Sequence, residues 1–182
     1  MQKPNDTVQV STQQSEKVRA GKPQRTQRPG ELQRIGLFID AQSLSYGIRR
    51  LYGRKSRLDF LRLPSLALEN CSITGDYTLK KAFVVQQGSE KVYGPLITAL
   101  RSFGYEVEVV EHGKQDMFIT MHIINIAPTI DHIMLVTGNK RLAPLIEQLT
   151  VWKKEMSLVT FEGLFEPGVV NQVLIQDAWL LK

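Results

Sequence analysis

Arg34-Ile35-Gly36-Leu37-Phe38-Ile39-Asp40-Ala41-Gln42-Ser43-Leu44 is the stretch that decides how this 182-residue chain folds. Ile35 to Ile39 is a short, unbroken apolar run, the pattern of a strand buried on both faces. Gln42 to Tyr52 then reads as a helix. A doubly buried strand feeding a helix is the opening unit of a parallel sheet with crossover helices, because parallel neighbours cannot be joined by a tight turn.

The same alternation repeats downstream. Lys81 to Val85 is the second strand, and Val92, Leu96, Ile97, Leu100 and Phe103 fall at helical spacing before Gly104. Tyr105 to Val110 is the third strand. Met117, Met121, Ile124 and Ala127 mark a helical face that Pro128 stops. Ile133 to Val136, a helix from Leu142 to Trp152, and Ser157 to Phe161 follow, and Val169 to Leu181 closes the chain as a last helix or short strand. The order βαβαβαβαβ gives an α/β class, a Rossmann-like three-layer sandwich around a mainly parallel sheet. Gly53 to Tyr77 fits this alternation poorly. Its Arg54, Lys55, Arg57 and Arg62 stand beside several leucines, so residues 54–77 read as a small amphipathic insertion with a basic side.

Before Arg34 the composition changes. Residues 1–33 are rich in Gln, Lys, Arg, Ser, Thr and Pro and too poor in apolar residues to bury a face, which predicts a flexible basic arm ahead of one domain over 34–182. The arm carries +3 of the net charge of +5. Its Lys17, Arg19, Lys22, Arg25 and Arg28 are spaced to follow a phosphate backbone, the alternative being a solubilising tail. One cysteine, Cys71, excludes an internal disulfide and a thiolate zinc site. No apolar segment reaches the ~18–20 residues of a bilayer span, so a cytoplasmic location without membrane contact is expected.

Ligands of open parallel sheets sit beyond the carboxyl ends of the strands. Three such ends carry polar residues: Asp40-Ala41-Gln42-Ser43, Glu111-His112-Gly113-Lys114-Gln115-Asp116 and Thr137-Gly138-Asn139-Lys140-Arg141. An Asp there can hold a hard cation or cap a helix. Gly138 followed by polar residues can leave backbone N–H groups for a phosphate, with Lys140 and Arg141 as its cationic partners. Asn139 reads equally as a cap, since Pro144 belongs in the first turn of the next helix. His122 reads as a structural histidine, His112 and His132 as surface residues, and Tyr46, Tyr52 and Tyr93 as core aromatics or stacking faces for bases. No glycine-rich turn follows the first strand and no P-loop is present, which disfavours a nucleotide-cofactor enzyme.

Taken in order, these segments resemble the NYN domain family, a branch of the PIN-like nucleases that includes the LabA-like bacterial proteins. The family's Ile-Asp-Gly-x-Asn-Leu is matched by Ile39-Asp40-Ala41-Gln42-Ser43-Leu44. Its Lys followed by two Asp along a helix is matched by Lys114, Asp116 and His122. Its Ser-Gly-Asp-x-Asp-Phe-x-Pro-Leu is matched by Thr137-Gly138-Asn139-Lys140-Arg141-Leu142-Ala143-Pro144-Leu145, and a closing Leu and Asp by Leu174 and Asp177. The resemblance implies a carboxylate pocket that holds Mg²⁺ or Mn²⁺ for cleavage of an RNA phosphodiester. Here Asp40 and Asp116 remain as the catalytic and metal-ligating positions, while His122, Asn139 and Arg141 replace three acids. The pocket charge falls from −5 to −1.

The first reading is therefore an RNA-binding NYN/PIN-like domain, a catalytically impaired pseudonuclease that requires no cofactor. Ser43, Lys114, Asn139, Lys140, Arg141, Arg54, Lys55, Arg57 and the cations of the arm are its RNA-binding residues, and RNA or a ribonucleoprotein is its partner. The second is a Mg²⁺- or Mn²⁺-dependent endoribonuclease using Asp40 and Asp116, since Mg²⁺ often takes only one or two carboxylates. The third is an adaptor or inhibitor that works through protein contacts, including a homodimer.

Overall fold

A computed structural model of the chain describes residues 32–86, 94–168 and 170–181. The arm residues Lys17, Arg19, Lys22, Arg25 and Arg28, and Tyr93, lie outside the described residues. Six strands form one sheet: β1 (Gln33–Asp40), β2 (Gly75–Gln86), β3 (Glu106–Glu111), β4 (His132–Val136), β5 (Glu155–Thr160) and β6 (Asn171–Leu174). Their order is β3-β2-β1-β4-β5-β6, and every pairing is parallel. The helices are α1 (Ala41–Leu51), α2 (Leu63–Cys71), α3 (Gly94–Ser102), α4 (Gln115–Ile126) and α5 (Ala143–Val151).

Strand order and crossover handedness together place the helices. Moving from β1 to β2 to β3 the chain walks one way across the sheet, and from β4 to β5 to β6 it walks the other way. Right-handed crossovers then put the helices of the two halves on opposite faces. Leu44 and Ile48 of α1, Leu63, Ala67 and Cys71 of α2 and Leu100 of α3 pack on one face with Ile35, Leu37 and Ile39. Ile119 and Ile123 of α4 and Leu145, Ile146 and Leu149 of α5 pack on the other with Phe38, Ile133 and Leu135. The α/β sandwich expected from the sequence is thus present, with an all-parallel sheet.

Two elements, β2 and α4, differ from the sequence reading, and the stretch read as an amphipathic insertion takes definite form. β2 begins at Gly75 rather than Lys81, because Gly75 to Lys80 pairs with the start of β1 while keeping alternate side chains half exposed. Leu63–Cys71 forms a helix whose Leu63, Ala67 and Cys71 enter the core, and Leu58 bridges Leu180. Arg54, Lys55, Arg57 and Arg62 are exposed along this stretch. In α4 the buried face is Ile119 and Ile123, continued by Ala127 just past its end, while Met117 and Met121 are 51% and 56% exposed. That helix is apolar almost all round, so spacing alone admits two orientations. The choice falls to its polar residues, which set Asp116 toward the strand ends and His122 between the Phe38 and Phe83 rings.

The closing segment takes the strand alternative: β6 is followed by a 3₁₀ turn, Asp177–Trp179, whose Trp179 is 2% exposed. At the opposite end of the sheet from the site, Arg34 grips Asp131 through two parallel bonds of 2.9 and 2.8 Å, and its backbone N–H adds a third at 2.9 Å. This ties the start of β1 to the turn before β4.

Candidate functional site

The strand order reverses between β1 and β4, and a cleft at the carboxyl ends of the two strands on either side of such a reversal is where open sheets bind ligands. β1 delivers Asp40 there and β4 delivers Thr137, both fully buried. Asp40 caps α1: one carboxylate oxygen accepts the Ser43 backbone N–H at 3.2 Å, and the other accepts the Thr137 hydroxyl at 3.4 Å. Burial pushes the Asp40 carboxyl above its usual range. Its bonds from Ser43 and Thr137 pull the other way, and the charge of Asp116 adds to the rise.

Around Asp40 runs a closed set of hydrogen bonds. Gly138 N–H donates to the Ser43 hydroxyl at 2.9 Å, and Asn139 N–H donates to Thr137 Oγ1 at 3.0 Å. Arg141 N–H is taken by Asn139 Oδ1 at 3.1 Å. The expectation of free N–H groups after Gly138 is therefore corrected: these three donors are satisfied by small side chains, Ser43 of α1 and Thr137 and Asn139 of the loop itself, which is what Ser, Thr and Asn at strand ends do well. Gly138 has a different reason to be there. A Cβ on it would lie 2.9 Å from the Phe161 ring and 3.2 Å from the Ser43 carbonyl, so only glycine lets this loop close down on α1.

α4 brings Asp116 to the same place, and its partners are the residues that stand where the family has acids. Arg141 Nε lies 2.7 Å from Asp116 Oδ2, and Asn139 Nδ2 donates to Asp116 Oδ1 at 3.2 Å. The Asp116 side chain is 14% exposed and that of Arg141 73%. Lys140 and Arg141 form a 3₁₀ turn with Leu142 just ahead of α5 rather than its first turn, and Asn139 caps that turn. Lys114 pairs with Glu111 at 2.6 Å at the exposed start of α4, and Gln115 reaches Gln42 of α1 at 3.4 Å. The structure thus brings together Asp40, Ser43, Asp116, Asn139 and Arg141, with Lys140 alongside. Arg54, Lys55 and Arg57 sit in the exposed turn after α1, outside this network among the described residues.

His122 does not join Asp116. It lies six residues on, ~9 Å down the helix axis, with Nδ1 3.3 Å from Lys81 Nζ and its ring against Phe38 and Phe83. Burial and then the Lys81 charge hold it below its ordinary value. Lys81 in turn pairs with Glu108 at 2.7 Å. His132, expected at the surface, is 5% exposed and bonded to Ser157 Oγ at 3.0 Å, because the first residue of a central strand is covered by both neighbours. Tyr46 is 69% exposed and Tyr52 anchors its hydroxyl on the Ile175 carbonyl at 2.7 Å. Thr137 is the residue whose role the sequence reading did not assign. A hydroxyl directly after a buried strand and before glycine was the available signal.

A family model for the NYN domain matches residues 34–178. The chain belongs to the NYN domain family. It therefore carries a PIN-like, nuclease-type domain, a class whose nuclease members are typically metal-dependent. The crystal structure of a Vibrio parahaemolyticus protein of unknown function superposes with a TM-score of 0.71 at 22% identity, covering 85% of this chain and all of that one. That likeness concerns the fold. No curated protein matches the chain.

Measured against the metal that such domains employ, the donor set here fits poorly. Both oxygens of Asp116 are engaged by Arg141 and Asn139, and both oxygens of Asp40 by Ser43 and Thr137. The Arg141 guanidinium, itself a cation, lies directly against the Asp116 carboxylate. Among the described residues no three His, Cys, Asp or Glu side chains are grouped to hold an ion.

Proposed function

We propose that this NYN domain binds RNA and does not cut it. The observation that carries the reading is the Arg141–Asp116 pair at 2.7 Å. At an effective dielectric near 20, a cation of charge +2 placed ~5 Å from a guanidinium is repelled by about 6–7 kcal/mol, and by roughly a quarter of that if water screens fully. Either figure cancels what a carboxylate at that same ~5 Å distance would contribute. The guanidinium supplies in place the positive charge that a metal would bring, and its exposed remainder can take a phosphate through paired N–H bonds. Lys140 beside it, and Lys114 at the start of α4, extend the positive edge along the cleft. Ser43 and Asn139 hold the loop that presents these cations, and the arm's Lys17, Arg19, Lys22, Arg25 and Arg28 add contacts to the backbone beyond it.

A second reading keeps one specific support: the charge of Asp116 adds to the rise of the Asp40 carboxyl, so the two acids stand close enough at the strand ends for one cation to relieve that repulsion. Under it the two act as a minimal metal site completed by RNA phosphates and water. Both are decided by mixing labelled single-stranded RNA with the full chain in Mg²⁺ or Mn²⁺ and measuring binding and cleavage together, with Asp40→Asn in parallel. Binding that is indifferent to metal and falls steeply with salt, without cleavage, is the expected result. Cleavage lost in Asp40→Asn establishes the second reading instead.

A further inference from the structure

Each crossover on the α4–α5 face is covered by a helix except the last. From β5 to β6 no helix forms among the described residues 161–168 and 170, and Phe165 and Val170 pack against the α4–α5 core. A loop fills the space under it less completely than a helix does, and a cavity of about 360 Å³ remains between it and α5. That volume is at the small end of the ~300–1,000 Å³ of ligand pockets. Its floor is Ile146 of α5 and Leu158 of β5, with Phe165 beside them. Two residues beyond Leu158 on the same strand face, the fully buried Thr160 hydroxyl has no partner among the described residues.

The rim decides what can enter. Lys140 lines the cavity and is also the neighbour of Arg141 in the turn at the strand ends, so cavity and cleft share one wall. Glu147 and Glu166 stand on the rim as well. Two carboxylates keep a phosphate out of the cavity itself but accept N–H donors. A flat, neutral, donor-bearing ring with its phosphate left outside near Lys140 satisfies both demands. Guanine is the base whose pairing edge presents adjacent N–H groups that a single carboxylate accepts in parallel, as carboxylates accept from base amino groups elsewhere. Phe165 offers an aromatic face for the ring.

We propose that this cavity is a guanine-selective base pocket serving the RNA cleft, an inference that rests on the RNA-binding reading for its biological use but not for its detection. Glu147 and Glu166 select the base, and Lys140 holds its phosphate at the rim.

The test titrates the full chain with GMP, AMP, CMP and UMP by heteronuclear NMR, and separately with oligouridine and oligouridine carrying one internal guanosine. The same titrations are run on the Glu147→Gln, Glu166→Gln double variant, which preserves side-chain size. GMP is expected to bind at least ~10-fold tighter than the other nucleotides, since a site built around hydrogen bonds rejects ligands lacking them. One guanosine should strengthen oligonucleotide binding by a similar factor, and the double variant should lose both preferences while retaining oligouridine affinity. Equal binding of the four nucleotides overturns the pocket, as does a preference that survives the double substitution or saturation by an arginine-containing peptide in place of GMP. Oligouridine binding without guanine preference leaves RNA binding standing and the pocket refuted. GMP preference without oligonucleotide binding does the reverse.

Discussion

Removing the titration of His132 should flatten the acid limb of this protein's stability curve. His132 opens β4 at 5% exposure, and its Nε2 lies 3.0 Å from Ser157 Oγ. Asn171 Nδ2 donates to that same oxygen at 3.2 Å, so the imidazole, the Ser157 hydroxyl and the Asn171 amide form one hydrogen-bonded group. Burial, then the nearby Lys154 ammonium, push the imidazole from 6.5 to about 4. The unfolded chain takes up its proton near 6.5 and the folded chain does not until about 4, so stability falls as pH drops through that interval. The full displacement is worth about 3 kcal/mol, of which about 2 kcal/mol is lost between pH 7.5 and 5. At ~2–4 °C per kcal/mol for a domain of this size, Tm should fall by roughly 4–8 °C from this residue alone. Urea denaturation of the wild type and of His132→Gln from pH 7.5 to 5 measures it. His122, also held down by burial, contributes a slope of the same sign to both proteins, so the difference between them isolates His132. Parallel pH dependences in the two proteins would refute the argument.

Asp40→Asn should stabilise the fold at pH 7. Burial raises the carboxyl, so the folded state holds its proton longer than the unfolded state, and stability declines as pH rises through that window; Asn removes the charge yet still caps α1 as well as Asp does. A drop in Tm at pH 7 would mean that the anion itself stabilises the loop. Asp131→Asn should act at the other end of the scale. The Arg34 guanidinium holds that carboxyl down at about 2, so its contribution is complete above 3.8 and is lost as pH falls through 2. Solvent reaching the 35%-exposed Arg34 limits the effect to at most about 2 kcal/mol, read as a loss of stability at pH 7 with a flatter slope below pH 4. Gly47→Ala places a Cβ 2.1 Å from the Phe161 ring and should cost roughly 1–3 kcal/mol by chemical denaturation, whereas unchanged stability would show that the ring moves aside freely. Arg141→Ala should lower the log–log salt slope of RNA binding by ~0.7, the share of one phosphate contact on a single strand, and an unchanged slope would leave Arg141 bound only to Asp116.

The apolar pattern made the fold legible because each buried strand is short, nearly continuous and followed by a helix, and those runs have no stable alternative pairing. It was least informative where burial is one-sided. The first half of β2 alternates Asp76, Thr78 and Lys80 with half-buried neighbours, and α4 offers apolar residues at nearly every azimuth. In both cases the deciding contact is long-range: the pairing of Gly75 to Leu79 with β1, and Asp116 meeting Arg141 from another helix's entry turn.

The site followed a different logic. The motifs predicted which residues reach the strand ends, since strand ends are fixed by the fold, but not whom they bond there. The pairing of Arg141 with Asp116 was not legible, because nothing in the order of residues joins position 141 to position 116. Only the reversal of strand order between β1 and β4 brings α4 and the Asn139–Arg141 loop to one edge. The backbone donors after Gly138 likewise read as an anion nest until Ser43, Thr137 and Asn139 were found to consume them. Small hydroxyl and amide side chains at a strand end can either line a ligand site or close it. Here they close the ground beneath Asp40 and leave the cations above it exposed, so a polyanion laid across the cleft would meet Lys140 and Arg141 before it met either carboxylate.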